Sequence, residues 1–187
     1  GLRGFKGSLY EGGLRVPAIV EWPAQIKARI TDYPSFSCDI APTIKEVVGL
    51  EANALLSKVD GVSLHELFHS DLKSRSQPIA FSFGKKPNSI QSAIVDNDYK
   101  LHRRVGKDKN DVSFELYNLV DDPTESTNLI AAKPEIAGGM KQQLERFNQS
   151  LEESIAGKDY PEKKVTAGNP TPRYWTEVEA YRPYFEQ

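Results

Sequence analysis

Residues 91–119 read QSAIVDNDYKLHRRVGKDKNDVSFELYNL. Gln91 to Val95 reads as a strand. Asp96, Asn97 and Asp98 then supply turn chemistry, and Tyr99 to Val105 returns as a second strand. A polar loop, Gly106 to Asp111, separates it from Phe114–Leu119, which alternates at period two. Ile79–Phe83, just upstream, reads as one more strand. Short runs joined by short turns predict an antiparallel meander. Asp121-Asp122-Pro123 closes it, with the aspartates as turn and helix caps rather than a carboxylate dyad.

Downstream, Pro134 marks a helix start. Ile136, Met140, Leu144, Phe147, Leu151 and Ile155 follow in a single apolar stripe, which predicts an amphipathic helix packed on the meander. Gly138 and Gly139 each cost about 1 kcal/mol of helix propensity, so its first turn is expected to be loose. Residues 157–187 hold four prolines and six aromatic residues. That is too aromatic for a solvated tail, so the segment is expected to lie along a surface.

Upstream, Leu14–Trp22 (LRVPAIVEW) reads as a buried strand, with Pro17 at its start or on an edge. Ile40, Ile44, Val47 and Val48 recur at helical spacing between Ser37 and Leu50. Ser37 or Asp39 would cap that helix and Gly49 would end it. A second, shorter helix is expected over Ser63–His69, after the turn at Asp60-Gly61.

Composition narrows the function. Over 187 residues, Lys plus Arg number 24 and Asp plus Glu 26, for a net charge of -2. A chain so balanced, with a pI near 6.0, is no general electrostatic binder of nucleic acid. One cysteine excludes an internal disulfide framework and a Cys-rich metal site. Mean hydropathy is -0.52, and no run approaches the roughly 18 apolar residues of a membrane span. No repeat at a period of about 20–50 residues is present. The chain opens on Gly1 without an apolar leader, so the expectation is that its natural N-terminus lies upstream.

Four motifs invite chemistry. His65-Glu66-Leu67-Phe68-His69 fits the zinc-protease pattern, with His65 and His69 as ligands and Glu66 as base. A third ligand is not at hand: the next Glu is Glu115, the remaining His is His102, and the position six beyond His69 is Arg75. The match therefore reads as a coincidence on a short helix, with a zinc protease as the remote alternative. GLRGFKGS is no phosphate loop, because Lys6 precedes Gly7. Cys38, flanked by Asp39 and apolar residues, reads as a small buried hydrophobe. Lys6 sits among glycines that let backbone approach a ligand, and its ammonium suits a sulfate or phosphate oxyanion.

RGFKGSLYEGGLRVPAIVEWP (Arg3–Pro23) closely resembles the segment of sulfatases that follows their metal-binding Asp/His-Gly loop. SCDIAPTIKEVVGL (Ser37–Leu50) is similar to the family's D-x-x-P-T helix, and DGVSLHELF (Asp60–Phe68) to its D-G-x-S-L segment. VDNDYKLHR resembles the hairpin bearing its Y-K-L motif. ELYNLVDDPTESTNLI (Glu115–Ile130) resembles its L-Y-D-L-x-x-D-P-x-E-x-x-N-L signature. The motifs run in family order from Arg3 to about residue 156, and the D-G-x-S-L match accounts for the zinc-like pattern.

The resemblance implies that Lys6, in K-x-x-x-Y-E-G-G, contacts the substrate sulfate and stabilises charge on its leaving oxygen, a substrate-binding and catalytic role. Glu11 and Arg15 would be a structural charge pair. It implies an α+β fold: a small antiparallel sheet with a C-terminal amphipathic helix, preceded by the terminal strand and helix of an α/β alkaline-phosphatase-like domain. Residues 1–50 would end that catalytic domain, 51–77 connect, 78–156 form the C-terminal subdomain and 157–187 the tail.

Family enzymes use Ca²⁺ and a formylglycine made from Cys or Ser in a Cys/Ser-x-Pro-Ser/Ala-x-Arg-like motif. Cys38-Asp39-Ile40-Ala41-Pro42 does not fit it. The expectation is an inactive C-terminal fragment whose partner is the absent N-terminal domain, and whose parent cleaves aryl or carbohydrate sulfates outside the cytoplasm, in the periplasm or beyond. A severed apolar strand edge would favour homo-oligomers. The alternative is a stand-alone, non-catalytic binding or structural module.

Overall fold

The computed structural model describes residues 1–55, 59–84, 90–106, 108, 111–159 and 179–184. The chain forms two compact units, Gly1–Gln149 and Ser150–Gln187. Of residues 157–187, 157–159 and the 3₁₀ turn Glu179–Tyr184 fall within the described residues, and the expected lie of the tail along a surface rests on residues outside them.

The meander is present in the first unit. Strands β1 (Ile79–Phe83), β2 (Gln91–Asp96), β3 (Tyr99–Val105) and β4 (Val112–Asn118) form one antiparallel sheet in the order β1-β2-β3-β4. The β2–β3 turn is tight because Asn97 takes a left-handed φ of 51°, a conformation Asn tolerates better than most residues. Register places Ile94, Leu101 and Leu116 side by side on one face. The described residues also form three α-helices, α1 (Glu11–Leu14), α2 (Ile40–Val47) and α3 (Pro134–Ile155). Ala137, Met140 and Leu144 of α3 cover the three strand residues, with Ile136, Phe147, Phe114 and Leu129 around them. Burying such side chains stabilises by about 1.5–3 kcal/mol each. Gly138 and Gly139 are accommodated inside α3, whose first turn is regular helix.

The other sheet face is not solvated as an antiparallel meander would allow. It carries Lys100, His102 and Tyr117, all buried, and the segment at residues 3–11 lies over them.

Three expectations fail upstream of the sheet. Leu14–Trp22 is no strand: α1 takes Leu14, and the rest is irregular, with Val16, Ile19 and Val20 exposed. A strand needs a neighbour to satisfy its N–H and C=O groups, and no described strand pairs with this run. Its exposed apolar residues therefore present no paired-strand edge. Ser63–His69 is not an α-helix but a single 3₁₀ turn, Glu66–Phe68. Cys38 is exposed, because the 3₁₀ turn Ser37–Asp39 directs Asp39 inward instead.

The helix expected after Ser37 does form, as that turn followed by α2, and ends at Gly49 with φ +67°. Neither Ser37 nor Asp39 gives α2 a side-chain cap: Asp39, last residue of the 3₁₀ turn, instead reaches back to accept the Phe36 N–H at 2.8 Å. Yet Ile40, Ile44 and Val48 are exposed, so this apolar stripe covers nothing within the described residues.

Candidate functional site

Lys6 lies on a turn bounded by Gly4 and Gly7, both with positive φ. The turn closes through the Ser8 N–H to the Phe5 carbonyl at 2.9 Å, and the Gly12 N–H to the Arg3 carbonyl at 2.7 Å. This return of the chain explains the paired glycines of E-G-G. A Cβ on Gly12 would stand 2.5 Å from the Arg3 carbonyl oxygen, and one on Gly13 only 2.1 Å from that of Ser8. No side chain fits there. Lys6 itself is exposed, and its ammonium engages no partner among the described residues.

Behind the turn lies a buried polar cluster. On β3, Lys100 and His102 point to the same face, and their sheet neighbours are Tyr117 and Glu115 of β4. Lys100 Nζ is 2.9 Å from Glu11 Oε1 and 3.1 Å from Glu125 Oε1. His102 Nε2 lies 2.9 Å from the same Glu125 oxygen. The other oxygen, Oε2, accepts the Glu11 backbone N–H at 2.6 Å. Lys100 and Glu125 are wholly buried. Glu11 and Arg15 do meet, at 3.9 Å, but Arg15 is half-exposed and Lys100 is the closer partner.

A second layer flanks the cluster. The Arg3 guanidinium sits 4.0 Å over the Tyr10 ring, which in turn lies 4.4 Å from the His102 ring. Arg3 donates to the Tyr117 hydroxyl at 2.9 Å and to the Glu125 carbonyl at 2.7 Å. Tyr10 and Tyr117 both donate to Glu115, which also takes Arg104 at 3.0 Å.

These surroundings move the titrations. Burial pushes His102 down from its ordinary 6.5, against the pull of Glu125. Burial alone would raise Glu125, but hydrogen bonds from His102 and the Glu11 N–H, together with Lys100, hold it below 4.5. Glu115 is likewise held low by Tyr10, Arg104 and Tyr117 despite its burial. Burial first, then the bond to Glu115, drives the Tyr10 phenol well above its usual range.

The linkage has one sign for all three groups held low. The unfolded chain binds a proton more readily than the fold, so stability falls as pH falls. His102 contributes its full share above its unfolded value of 6.5 and loses it as pH drops from there through its lower folded value. Glu125 and Glu115 contribute above 4.5 and lose their share below it. The urea midpoint is therefore expected to decline in two stages on acidification. His102→Gln, which can still donate to Glu125, should erase the upper stage; an unchanged upper stage in that variant would overturn the assignment.

The remaining sequence candidates are not brought to this cluster. The His65 ring lies 3.3 Å from Glu46 and 5.3 Å, centroid to centroid, from the His69 ring. A 3₁₀ turn does not give them the shared face of an α-helix. Among the described residues no group of three or more His, Cys, Asp or Glu is placed to hold a metal ion. The buried carboxylates of Glu11 and Glu125 do not fit a Ca²⁺ site, because the Lys100 ammonium already lies between them and His102 takes Glu125 as well. The Cys38 thiol is pushed up by partial burial and by Asp60 and Asp39, the reverse of an activated nucleophile. Asp122 caps the turn at Ser126 and Thr127, accepting both N–H groups at 2.8 Å, and not the start of α3.

Lys100 and His102 lie in the Y-K-L hairpin and Glu125 in the D-P-x-E signature, and the resemblance to those motifs implies no role for them. Alternating Lys100, His102 and Arg104 along a strand marks a polar face; nothing local says that the face is covered.

Comparison with known proteins matches residues 5–150 to the family described as "N-sulphoglucosamine sulphohydrolase, C-terminal". A Formosa agariphila sulfatase is 34% identical over 146 residues, covering 71% of this chain and 26% of its own length. Human arylsulfatase A is 29% identical, covering 82% of this chain and 34% of its own. An N-acetylgalactosamine-6-O-sulfatase of Bacteroides thetaiotaomicron is 28% identical, with 76% and 29% covered. The crystal structure of Ps i-CgsB superposes with a TM-score of 0.68 at 23% identity, over 79% of this chain and 32% of that one, a likeness of fold. The chain spans about a third or less of the length of these relatives.

Proposed function

The chain belongs to the N-sulphoglucosamine sulphohydrolase C-terminal family, and on that premise we propose that it is the C-terminal portion of an exported enzyme that hydrolyses sulfate esters. The observation that carries the reading is Lys6: an exposed, unpaired ammonium on a turn whose shape two glycines of the K-x-x-x-Y-E-G-G motif enforce. In the whole enzyme Lys6 faces the substrate sulfate, and its charge stabilises the negative charge that builds on the leaving oxygen. The arylsulfatase and N-acetylgalactosamine-6-O-sulfatase relatives favour an aryl or carbohydrate sulfate as substrate. Calcium and the formylglycine nucleophile belong to the N-terminal portion, since Cys38 lies outside the required motif. That portion also covers the exposed apolar residues Val16, Ile19, Val20, Ile40, Ile44 and Val48.

The chain alone, with Ca²⁺ present, is then expected to leave nitrophenyl sulfate intact, and to bind inorganic sulfate with an affinity that Lys6→Ala lowers to a weak but still measurable level. Measurable turnover by the chain alone, or sulfate binding indifferent to Lys6→Ala, would sink the reading.

A further inference from the structure

We propose that Glu125 is the positioning residue of the Lys6 turn, an inference that rests on the reading of Lys6 as the sulfate-contacting group. Glu125 comes from the loop after β4, more than a hundred residues downstream, and touches the turn at both ends. Its backbone carbonyl accepts the Arg3 guanidinium at 2.7 Å, just before Lys6. Its Oε2 accepts the Glu11 N–H at 2.6 Å, just after the turn. Between these anchors the Gly12 N–H bonds to the Arg3 carbonyl, so fixing Arg3 and Glu11 fixes the span that carries Lys6.

The carboxylate can do this because its other oxygen is held in turn. Lys100 at 3.1 Å and His102 at 2.9 Å, both on the central strand β3, orient Oε1 and balance its charge. Glu125 also takes a left-handed φ of 54°, where glycine or asparagine sits with less strain. From that backbone position the side chain reaches the Glu11 N–H on one side and Lys100 and His102 on the other. Its target is the turn, not the apolar core: neither anchor involves a residue of the cluster under α3.

Glu125→Gly tests this, since glycine relieves the backbone while deleting the carboxylate. Inorganic sulfate is titrated by NMR into the wild-type chain, Glu125→Gly, Lys6→Ala and the double variant, with the Leu101 and Leu116 amides reporting that the sheet is intact. Glu125→Gly is expected to weaken sulfate binding by about tenfold, and to cost nothing further once Lys6 is absent. That non-additivity is what a general loss of stability does not produce. Wild-type affinity in Glu125→Gly, or full additivity, overturns the proposal. Amide exchange in the unmodified chain gives a second measure that needs no variant to fold. The Glu11 N–H should exchange as slowly as sheet amides, and free exchange there overturns the proposal too. If Lys6→Ala leaves sulfate binding unchanged while the Glu11 amide stays protected, the reading of Lys6 fails and the hold of Glu125 on the turn survives.

Discussion

Lys100→Met is expected to destabilise the chain by about 3–5 kcal/mol and to leave much of it unfolded under conditions where the wild type is native. The lysine is wholly buried and its ammonium lies between two carboxylates, Glu11 and Glu125. Removing it leaves two buried negative charges facing each other; of the cations still nearby, Arg15 is half-exposed at 3.9 Å from Glu11, and Arg3 is engaged by the Glu125 carbonyl and not by its carboxylate. A buried charge without its partner costs far more than the pair itself contributes. Against a total stability of about 5–15 kcal/mol for an ordinary domain, this is a large fraction. Urea unfolding followed by fluorescence measures it. Adding Glu125→Gln to Lys100→Met removes one of the two stranded charges, so the double variant should recover part of the loss. A Lys100→Met chain as stable as wild type would show that the cluster contributes no net electrostatic constraint.

The second large effect is expected at Asp39, again about 3–5 kcal/mol, but local in its consequence. Its carboxylate is fully buried and takes four donors: the Phe36 and Val62 N–H groups at 2.8 Å each and both terminal nitrogens of Arg75 at 2.7 Å. Arg75 is itself bound at the β2–β3 turn, its N–H given to Asn97 at 2.6 Å. Asp39→Ala therefore cuts α2 and the 61–64 segment from the sheet and leaves the Arg75 guanidinium buried without its anion. A helix of eight residues does not persist alone in water, least of all with Ile40, Ile44 and Val48 exposed. Limited proteolysis should cut between residues 24 and 60 in Asp39→Ala and spare β1–β4. Equal resistance in variant and wild type, or collapse of the whole sheet, would contradict this local role.

The meander was legible because its signals are local. Alternation in Phe114–Leu119, the Asp96-Asn97-Asp98 turn and the 3.6-residue stripe of α3 each specify their element within a dozen residues, and packing only confirmed them. The family, too, could be read from motifs alone. Leu14–Trp22 misled because an apolar β-branched run states a wish to be buried, not a partner to be buried against. Cys38 and Asp39 exchanged places for a related reason: residue type favours the cysteine inside, but the guanidinium of Arg75, 36 residues away, makes the aspartate the one worth burying.

The sequence by itself determined the four strands of the meander, the helix that covers them, their order and the family to which they belong. Only the tertiary structure decided that the second face of the sheet is a closed ionic cluster. Lys100, His102, Glu11 and Glu125 are scattered over more than a hundred positions, and each is an ordinary surface residue by type. Charge interactions at hydrogen-bond range depend on distances that no local pattern encodes. They appear only when β3 and the turn at residues 3–13 are brought to within 3 Å of each other.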